Sequence, residues 1–172
     1  MVYNIGEDVV FQMKKMKIYL DTSFIGYLYQ PTMPKEESET LKLFEKIKQG
    51  EYEVYISDVV LREITKTGDT EVRDKLLGFL TEIEYNIAAI TPEVLEIAAL
   101  VKTVGLLTEK SNDDCLHIGC AVTNNCDVLV SWNFKHLANV RTINGVRAIS
   151  NLKGYGNINI VPPVMLLEKG DD

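Results

Sequence analysis

A chain of 172 residues that is 46% hydrophobic and 25% charged can bury one core, which excludes an intrinsically disordered protein. Its 18 basic and 25 acidic residues give a formal net charge of -7, which excludes a nucleic-acid binder coated uniformly with positive charge. No apolar stretch reaches the roughly 18–20 residues of a membrane-spanning helix, and the acidic start lacks a secretory signal, so we predict a cytoplasmic protein outside the membrane. The cysteines Cys115, Cys120 and Cys126 lack C-x-x-C spacing and are predicted to be buried, reduced residues.

Strands and helices are predicted to alternate along the chain. Apolar residues recur at helical spacing at Leu41, Phe44 and Ile47, and Pro92 is typical of the first position of a helix. In order, the predicted elements are a strand at 17–20, a short helix at 24–29, an amphipathic helix at 36–49, a strand at 54–56, a helix holding 59–64, a helix at 71–82, a strand at 87–90, a helix at 92–103, a helix from 111 to about 124, and strands at 128–130 and 158–161. No element is assigned between the last two strands.

This alternation predicts an α/β fold: a three-layer α/β/α sandwich around a central, mostly parallel sheet of four to five strands. Residues 16–165 are expected to form one domain. An N-terminal extension over 1–15 precedes it, and a C-terminal tail over 166–172 follows it.

Polar side chains recur where the predicted strands end. Ligands of open parallel sheets bind at the carboxyl ends of the strands. Residues from four segments are therefore expected there: Asp21 and Ser23 after the first strand, Glu63 in the helix after the second, Asp114 at the start of the helix before the fourth, and Asn133 after the fourth. Converging carboxylates repel each other unless a proton or a cation neutralises them. Oxygen ligands suit Mg²⁺ or Mn²⁺, so the sequence predicts metal-dependent phosphodiester or phosphoryl chemistry.

Each acid also has a purely structural interpretation. Asp21 could cap the short helix, and Glu63 could form a solvated pair with Lys66. Asp114 could be only the acid of an S-x-x-D capping box that opens its helix. Two further acids are predicted to be helix caps or surface residues: Asp58 and Asp113.

The histidines and the tryptophan divide in the same way. His117 follows Asp114 by three residues, and an ordinary buried, hydrogen-bonded histidine is favoured over a metal ligand. Lys135 and His136 follow the fourth strand, where they either contact substrate phosphate or lie on the surface. Trp132 is predicted to pack in the core and not to stack on a base.

A local excess of positive charge interrupts the acidic average of the chain. No acid occurs between Asp127 and Glu168, whereas four cations do: Lys135, Arg141, Arg147 and Lys153. Such a basic zone beside an acidic pocket suits a polyanion such as RNA, unless the segment is an ordinary loop-rich tail.

Four segments in order resemble the PIN domain family, and within it the VapC-like toxin ribonucleases. They are IYLDTSFIG from Ile18, VVLREI from Val59, DCLHIGCA from Asp114 and DVLVSWNFKHL from Asp127. The resemblance spans about residues 16–161. It implies a Mg²⁺- or Mn²⁺-dependent endoribonuclease that cleaves single-stranded RNA and acts as the toxin of a toxin–antitoxin pair.

The resemblance also implies roles for particular residues and partners. Asp21, Glu63 and Asp114 would form the catalytic, metal-binding set, and Ser23 matches a hydroxyl or amide position near the metal. Toxins of this kind usually form homodimers and are silenced by a cognate antitoxin protein. Asn133 departs from the family, which commonly has a fourth acid there. Its neutral oxygen can hold a metal-bound water but adds no charge, which leaves one versus two metals open.

Two classes of function therefore remain open: the nuclease, and a catalytically weakened PIN-like module that binds RNA or a protein. A phosphatase that uses Asp21 as its nucleophile is disfavoured, because Ser23 stands where its pattern requires an acid. A dinucleotide-binding fold is disfavoured because Gly154 and Gly156 lack the third glycine of that motif.

Overall fold

A five-stranded sheet forms the centre of the computed structural model, which describes residues 14–167. Most of the predicted extension (1–15) and of the predicted tail (166–172) lies outside the described residues. In chain order the elements are β1 (Met16–Leu20), α1 (Thr22–Gly26), α2 (Pro34–Lys48), β2 (Tyr52–Ser57), α3 (Asp58–Thr65), α4 (Thr70–Leu80), β3 (Asn86–Ala88), α5 (Pro92–Thr103), α6 (Asn112–Thr123), β4 (Val128–Val130), α7 (Val140–Leu152) and β5 (Asn159–Val161). Three short 3-10 turns lie between or after these elements, at Tyr27–Tyr29, Glu109–Ser111 and Pro163–Leu166.

All five strands are parallel, in the order β3-β2-β1-β4-β5. β1 occupies the middle of the sheet, and its Ile18 lies opposite Val54 of β2 and Val128 of β4. The chain adds β2 and β3 on one side of β1 and β4 and β5 on the other. The strand order thus reverses between β1 and β4, which is where open α/β sheets bind ligands.

Helices cover both faces of the sheet, which confirms the predicted three-layer α/β/α sandwich. Ile18 and Leu20 pack into the core beneath α1, α2 and α4, whereas the intervening Tyr19 packs into the core beneath α5, α6 and α7. This alternation follows from the two-residue period of a strand. Among the described residues, no helix is both long and apolar enough to cross a membrane.

One helix of this sandwich, α7, is absent from the sequence prediction. Asn139 caps it by accepting a hydrogen bond from the Thr142 N–H at 3.0 Å, and Val146 and Ile149 bury its inner face. Gly145 lies mid-helix at a close approach, since a Cβ there would stand 2.4 Å from a methyl carbon of Leu106. Because glycine is a poor helix former, the local sequence does not predict this helix, which is stabilised by tertiary packing.

The cysteines are buried and free, as predicted. Burial raises the pKa of the Cys120 thiol to about 11 and that of the Cys126 thiol to about 12. Both thiols are therefore protonated at neutral pH, and they behave as small apolar side chains.

Candidate active site

Asp21 lies at the carboxyl end of the central strand and is only 3% exposed. It caps α1, because its Oδ1 accepts a hydrogen bond from the Phe24 N–H at 3.0 Å. The Ser23 hydroxyl donates to the same oxygen and the Ser131 hydroxyl donates to Oδ2, both at 2.6 Å. Both carboxylate oxygens are thus held by donors that follow β1 and β4.

Burial raises the pKa of Asp21 above its ordinary value. The nearby His117 and the hydrogen bonds from Ser131, Ser23 and the Phe24 N–H act in the opposite direction and only partly offset that rise. A buried carboxylate of this kind is stabilised by a proton or by an added positive charge.

Glu63 projects from α3 towards the same strand end, with 30% of its side chain exposed. The Thr22 hydroxyl donates to its Oε2, and His117 Nε2 lies 2.9 Å from that oxygen. Burial alone would raise the pKa of Glu63, but the hydrogen bonds from His117 and Thr22 outweigh it and lower the pKa. No ion pair joins Glu63 to Lys66 among the described residues, so this glutamate is oriented by the interior and not by a surface lysine.

His117 connects Glu63 to the core of the protein. It is 3% exposed, and its Nδ1 lies 2.8 Å from the Tyr19 hydroxyl, which lies 2.7 Å from Ser57 Oγ. Burial raises the pKa of Tyr19 well above its ordinary value, so its phenol stays protonated. His117 Nε2 thus faces the ionised Glu63, and its Nδ1 faces the Tyr19 hydroxyl.

Asp114 lies in the first turn of α6 and faces the loop after β4. The Asn133 amide donates to its Oδ1 at 3.1 Å, and His136 Nδ1 lies 2.8 Å from its Oδ2. The predicted capping box is wrong, because Ser111 makes no capping hydrogen bond with its side chain. A 3-10 turn at Glu109–Ser111 leads into the helix instead, and it leaves Asp114 free to contact the loop.

Hydrogen bonds join Asp114 and Asp21 into one network, and Glu63 is connected to it through the chain, because its donor Thr22 follows Asp21. From Asp114 the network passes to Asn133, whose N–H donates to Ser131 Oγ at 2.9 Å, and then to Asp21. The hydroxyl next to Asp21 along the chain donates to Glu63. The residues predicted for the site are therefore neighbours at one sheet edge, and their catalytic roles stay a prediction.

The donor set at this edge consists of oxygen atoms from carboxylates, hydroxyls and an amide, which suits Mg²⁺ or Mn²⁺. Among residues 14–167, however, no three His, Cys, Asp or Glu side chains group closely enough to hold a metal ion. Magnesium commonly binds one or two carboxylates and keeps several waters. The residues therefore fit an ion held by fewer than three acids, and the choice of ligands stays a prediction.

The neighbouring charges are arranged around this network in different ways. Asp113 pairs with Arg62 at 2.5 Å on the surface, and Asp58 is exposed in the first turn of α3. In the basic zone, Arg147 donates to the Ile158 carbonyl and Lys153 pairs with Glu96. Arg147 and Lys153 therefore already contact other groups of the protein.

Trp132 packs in the interior beside the acids. Its backbone N–H donates to Ser23 Oγ at 2.9 Å, and its indole Nε1 donates to Thr40 Oγ1 at 2.8 Å. Its ring lies 5.3 Å from that of Tyr27 and 5.9 Å from that of Phe134, centroid to centroid. These contacts agree with the packing role predicted from the sequence.

Four residues gained a role only from the structure: Thr22, Ser131, Tyr19 and Ser57. Thr22 and Ser131 carry a signal in the sequence, because each is a hydroxyl within two residues of the end of an apolar strand. Tyr19 contacts His117 from inside β1 and Ser57 contacts the Tyr19 hydroxyl, and no sequence pattern marks either contact.

Comparisons with known proteins identify both a family and a fold. Residues 18–140 match the family model described as PIN domain. No curated protein matches the sequence significantly. The chain resembles one chain of the crystal structure of VapBC2 from Rickettsia felis bound to a DNA fragment from their promoter, with a TM-score of 0.54. That match has 20% sequence identity and covers 86% of this chain and 98% of the other, and it shows a shared fold.

Proposed function

This chain belongs to the PIN domain family, and from that membership we propose that it is a divalent-metal-dependent endoribonuclease that cleaves single-stranded RNA. PIN domains are generally nucleases. The observation that carries the proposal is the hydrogen-bond network between Asp21 and Asp114 at the switch point of the sheet, with Glu63 held beside it by the hydroxyl of Thr22.

The proposed roles follow from how each acid is held. Asp21 and Asp114 would hold Mg²⁺ or Mn²⁺, and Glu63 would complete the negative charge around the ion without all three acids binding it directly. Such an ion, when bound, polarises the scissile phosphate and lowers the pKa of a water. Ser23 keeps Asp21 in one orientation, and Asn133 does the same for Asp114. Glu63, which is ionised at neutral pH, accepts hydrogen bonds and can orient a water.

The RNA would cross the surface beside Asp114. Lys135 is exposed and His136 is half-buried, and both follow Asn133 in the loop after β4. Their positive or donor groups suit phosphate oxygens of the strand. We propose both as contacts to the substrate backbone.

A cognate antitoxin and a second copy of the chain are the proposed protein partners. The structural neighbour is a chain of VapBC2 bound to a DNA fragment from their promoter. The shared fold supports extending an antitoxin partner to this chain as a hypothesis. The homodimer rests on the family resemblance alone.

One observation favours a second candidate function, a catalytically weakened module that binds RNA or a protein. Asn133 supplies no charge at the position where the family commonly has an acid, and both oxygens of Asp21 already accept hydrogen bonds. A site of this kind could retain RNA binding while holding a metal weakly.

The nuclease is tested by comparing Asp21→Asn with Asp74→Asn, a control at an exposed acid on α4. Cleavage of a fluorogenic single-stranded RNA is measured with Mn²⁺ and with EDTA, and Mn²⁺ binding is measured by calorimetry. We expect Asp21→Asn to lower Mn²⁺-dependent cleavage at least about 100-fold and to weaken Mn²⁺ binding, with no change in the control. Folded wild-type protein that neither binds Mn²⁺ nor cleaves RNA would favour the binding module.

A further inference from the structure

A cavity of about 310 Å³ lies beside the loop after β4, at the start of α7. His136 borders it and also contacts Asp114, so the cavity adjoins the network of acids. None of the described residues that line it is acidic. Its polar lining includes three basic side chains and three hydroxyls: Lys135, His136, Arg141, Thr108, Ser111 and Thr142.

The basic groups of this cavity keep donors available for a ligand. Lys135 is exposed and its amino group forms no hydrogen bond or ion pair with any residue in the described range 14–167. Arg141 donates from Nη2 to the Gly105 carbonyl at 2.8 Å, which leaves the other donors of its guanidinium. His136 uses Nδ1 towards Asp114 and Ser111, and its Nε2 has no partner within the same range.

We propose that this cavity, which we name the phosphate pocket after Lys135, His136 and Arg141, binds a phosphate group of the RNA strand next to the one that is cleaved. The identity of the ligand rests on the proposed nuclease function. A cavity whose described lining carries basic side chains and no acid attracts phosphate, even in a chain with a net charge of -7. Lysine contributes a point charge and arginine a planar fork of donors.

The position of the pocket favours a phosphate of the RNA strand over free phosphate as its ligand. His136 both lines the pocket and contacts Asp114, so a strand with one phosphate at the acids brings a neighbouring phosphate to the pocket. The phosphate pocket therefore fixes the register of the strand relative to the acids.

The test measures RNA binding without metal, so that no cleavage occurs. A fluorescein-labelled single-stranded oligouridylate of eight nucleotides is titrated with full-length protein in EDTA at several salt concentrations, and anisotropy is recorded. Lys135→Gln and Arg141→Gln are compared with Lys153→Gln. Lys153 is a matched control because it directly follows α7, about 18 Å from Arg141 at 1.5 Å per residue.

We expect each pocket variant to weaken binding several-fold and to lower the slope of log K against log salt by about 0.7, as expected for one lost phosphate contact on a single strand. Lys153→Gln should leave both quantities unchanged. Lys135→Gln keeps the fold intact, because its amino group has no partner to lose within the described part of the chain. Arg141→Lys, which keeps the charge, should retain most of the salt slope.

Several results would overturn the phosphate pocket. One is wild-type affinity and salt slope in the Lys135→Gln/Arg141→Gln double variant. Equal competition by inorganic phosphate and by the RNA strand would indicate a site for free phosphate. Equal competition by a glutamate octapeptide would indicate a site for an acidic protein segment.

The same variants separate this proposal from the nuclease. Weaker binding by the pocket variants in EDTA supports the phosphate pocket even if the wild type shows no cleavage with Mn²⁺, and in that case the nuclease fails alone. If the wild type cleaves RNA and the double variant has an unchanged KM, the pocket fails and the nuclease stands.

Discussion

Two of the three acids each contact a histidine, but the two pairs are built differently. His117 lies 2.9 Å from Glu63 and is 3% exposed, with Tyr19 behind it. His136 lies 2.8 Å from Asp114, with 37% of its side chain exposed. The inner pair, Glu63–His117, joins two helices above the centre of the sheet. The outer pair, Asp114–His136, joins a helix to a loop.

Because of this difference, the inner pair is rigid and the outer pair is accessible to a ligand. The inner pair is surrounded by core residues, so its geometry is fixed before any ligand arrives. The outer pair borders the phosphate pocket and solvent, so it can respond to a strand. Sites with one buried and one accessible side hold a reacting group while admitting substrate.

The largest expected effect on stability distinguishes the two histidines directly. His117→Ala removes a buried ring together with one hydrogen bond of Glu63 and one of the Tyr19 hydroxyl, which should cost about 3 kcal/mol and lower Tm by roughly 6–12 °C. His136→Ala removes a half-exposed contact and should cost less than about 1 kcal/mol. Thermal unfolding in EDTA measures both. Equal shifts in Tm would contradict the distinction between the pairs.

A second substitution adds charge to the outer pair only. Asn133→Asp places a carboxylate where an amide now donates to Asp114 at 3.1 Å. In EDTA the two acids repel, and Tm should fall by about 2–4 °C, whereas affinity for Mn²⁺ should rise about 10-fold. Calorimetry with Mn²⁺ checks the gain. Affinity equal to that of the wild type would indicate that this position lies outside the metal site.

A further effect on stability depends on pH and concerns Asp21. Its pKa in the folded protein is raised by burial, so stability gained by protonation is fully present below the unfolded value of about 3.9 and is lost as the pH rises through the folded pKa. Asn is neutral at every pH and remains a good helix cap. In EDTA at pH 7, Asp21→Asn should therefore raise Tm by about 2–4 °C.

That gain should disappear as the pH falls below about 3.9, where the wild-type carboxyl becomes protonated in both states. Denaturation of both proteins across this pH range measures the change. A lower Tm for Asp21→Asn at pH 7 would show that capping and hydrogen bonding outweigh the cost of the buried charge.

The sequence predicts the inner architecture better than the outer one. Short apolar runs ending in polar residues marked β1 and β4, and the carboxyl ends of parallel strands meet by geometry. The sequence did not decide whether Glu63 faces Lys66 or the interior, because that depends on how α3 packs. The contact of Tyr19 with His117 spans 98 positions, which no local pattern reveals.

The sequence predictions around the outer pair were wrong for a different reason. A 3-10 turn ahead of α6 replaces the expected capping box, and Asp114 contacts the loop after β4 instead. The missed helix α7 supplies Arg141 and one wall of the phosphate pocket. Both depend on packing between distant segments, which overrides local preference.

The tryptophan beside the acids gives the molecule a built-in optical probe. Trp132 is the single tryptophan in the chain, and its backbone N–H donates to Ser23, which in turn donates to Asp21. Any displacement of that serine changes the surroundings of the indole. Emission excited near 295 nm, a wavelength selective for tryptophan, should therefore shift when ions or RNA reach the acids, without any attached dye.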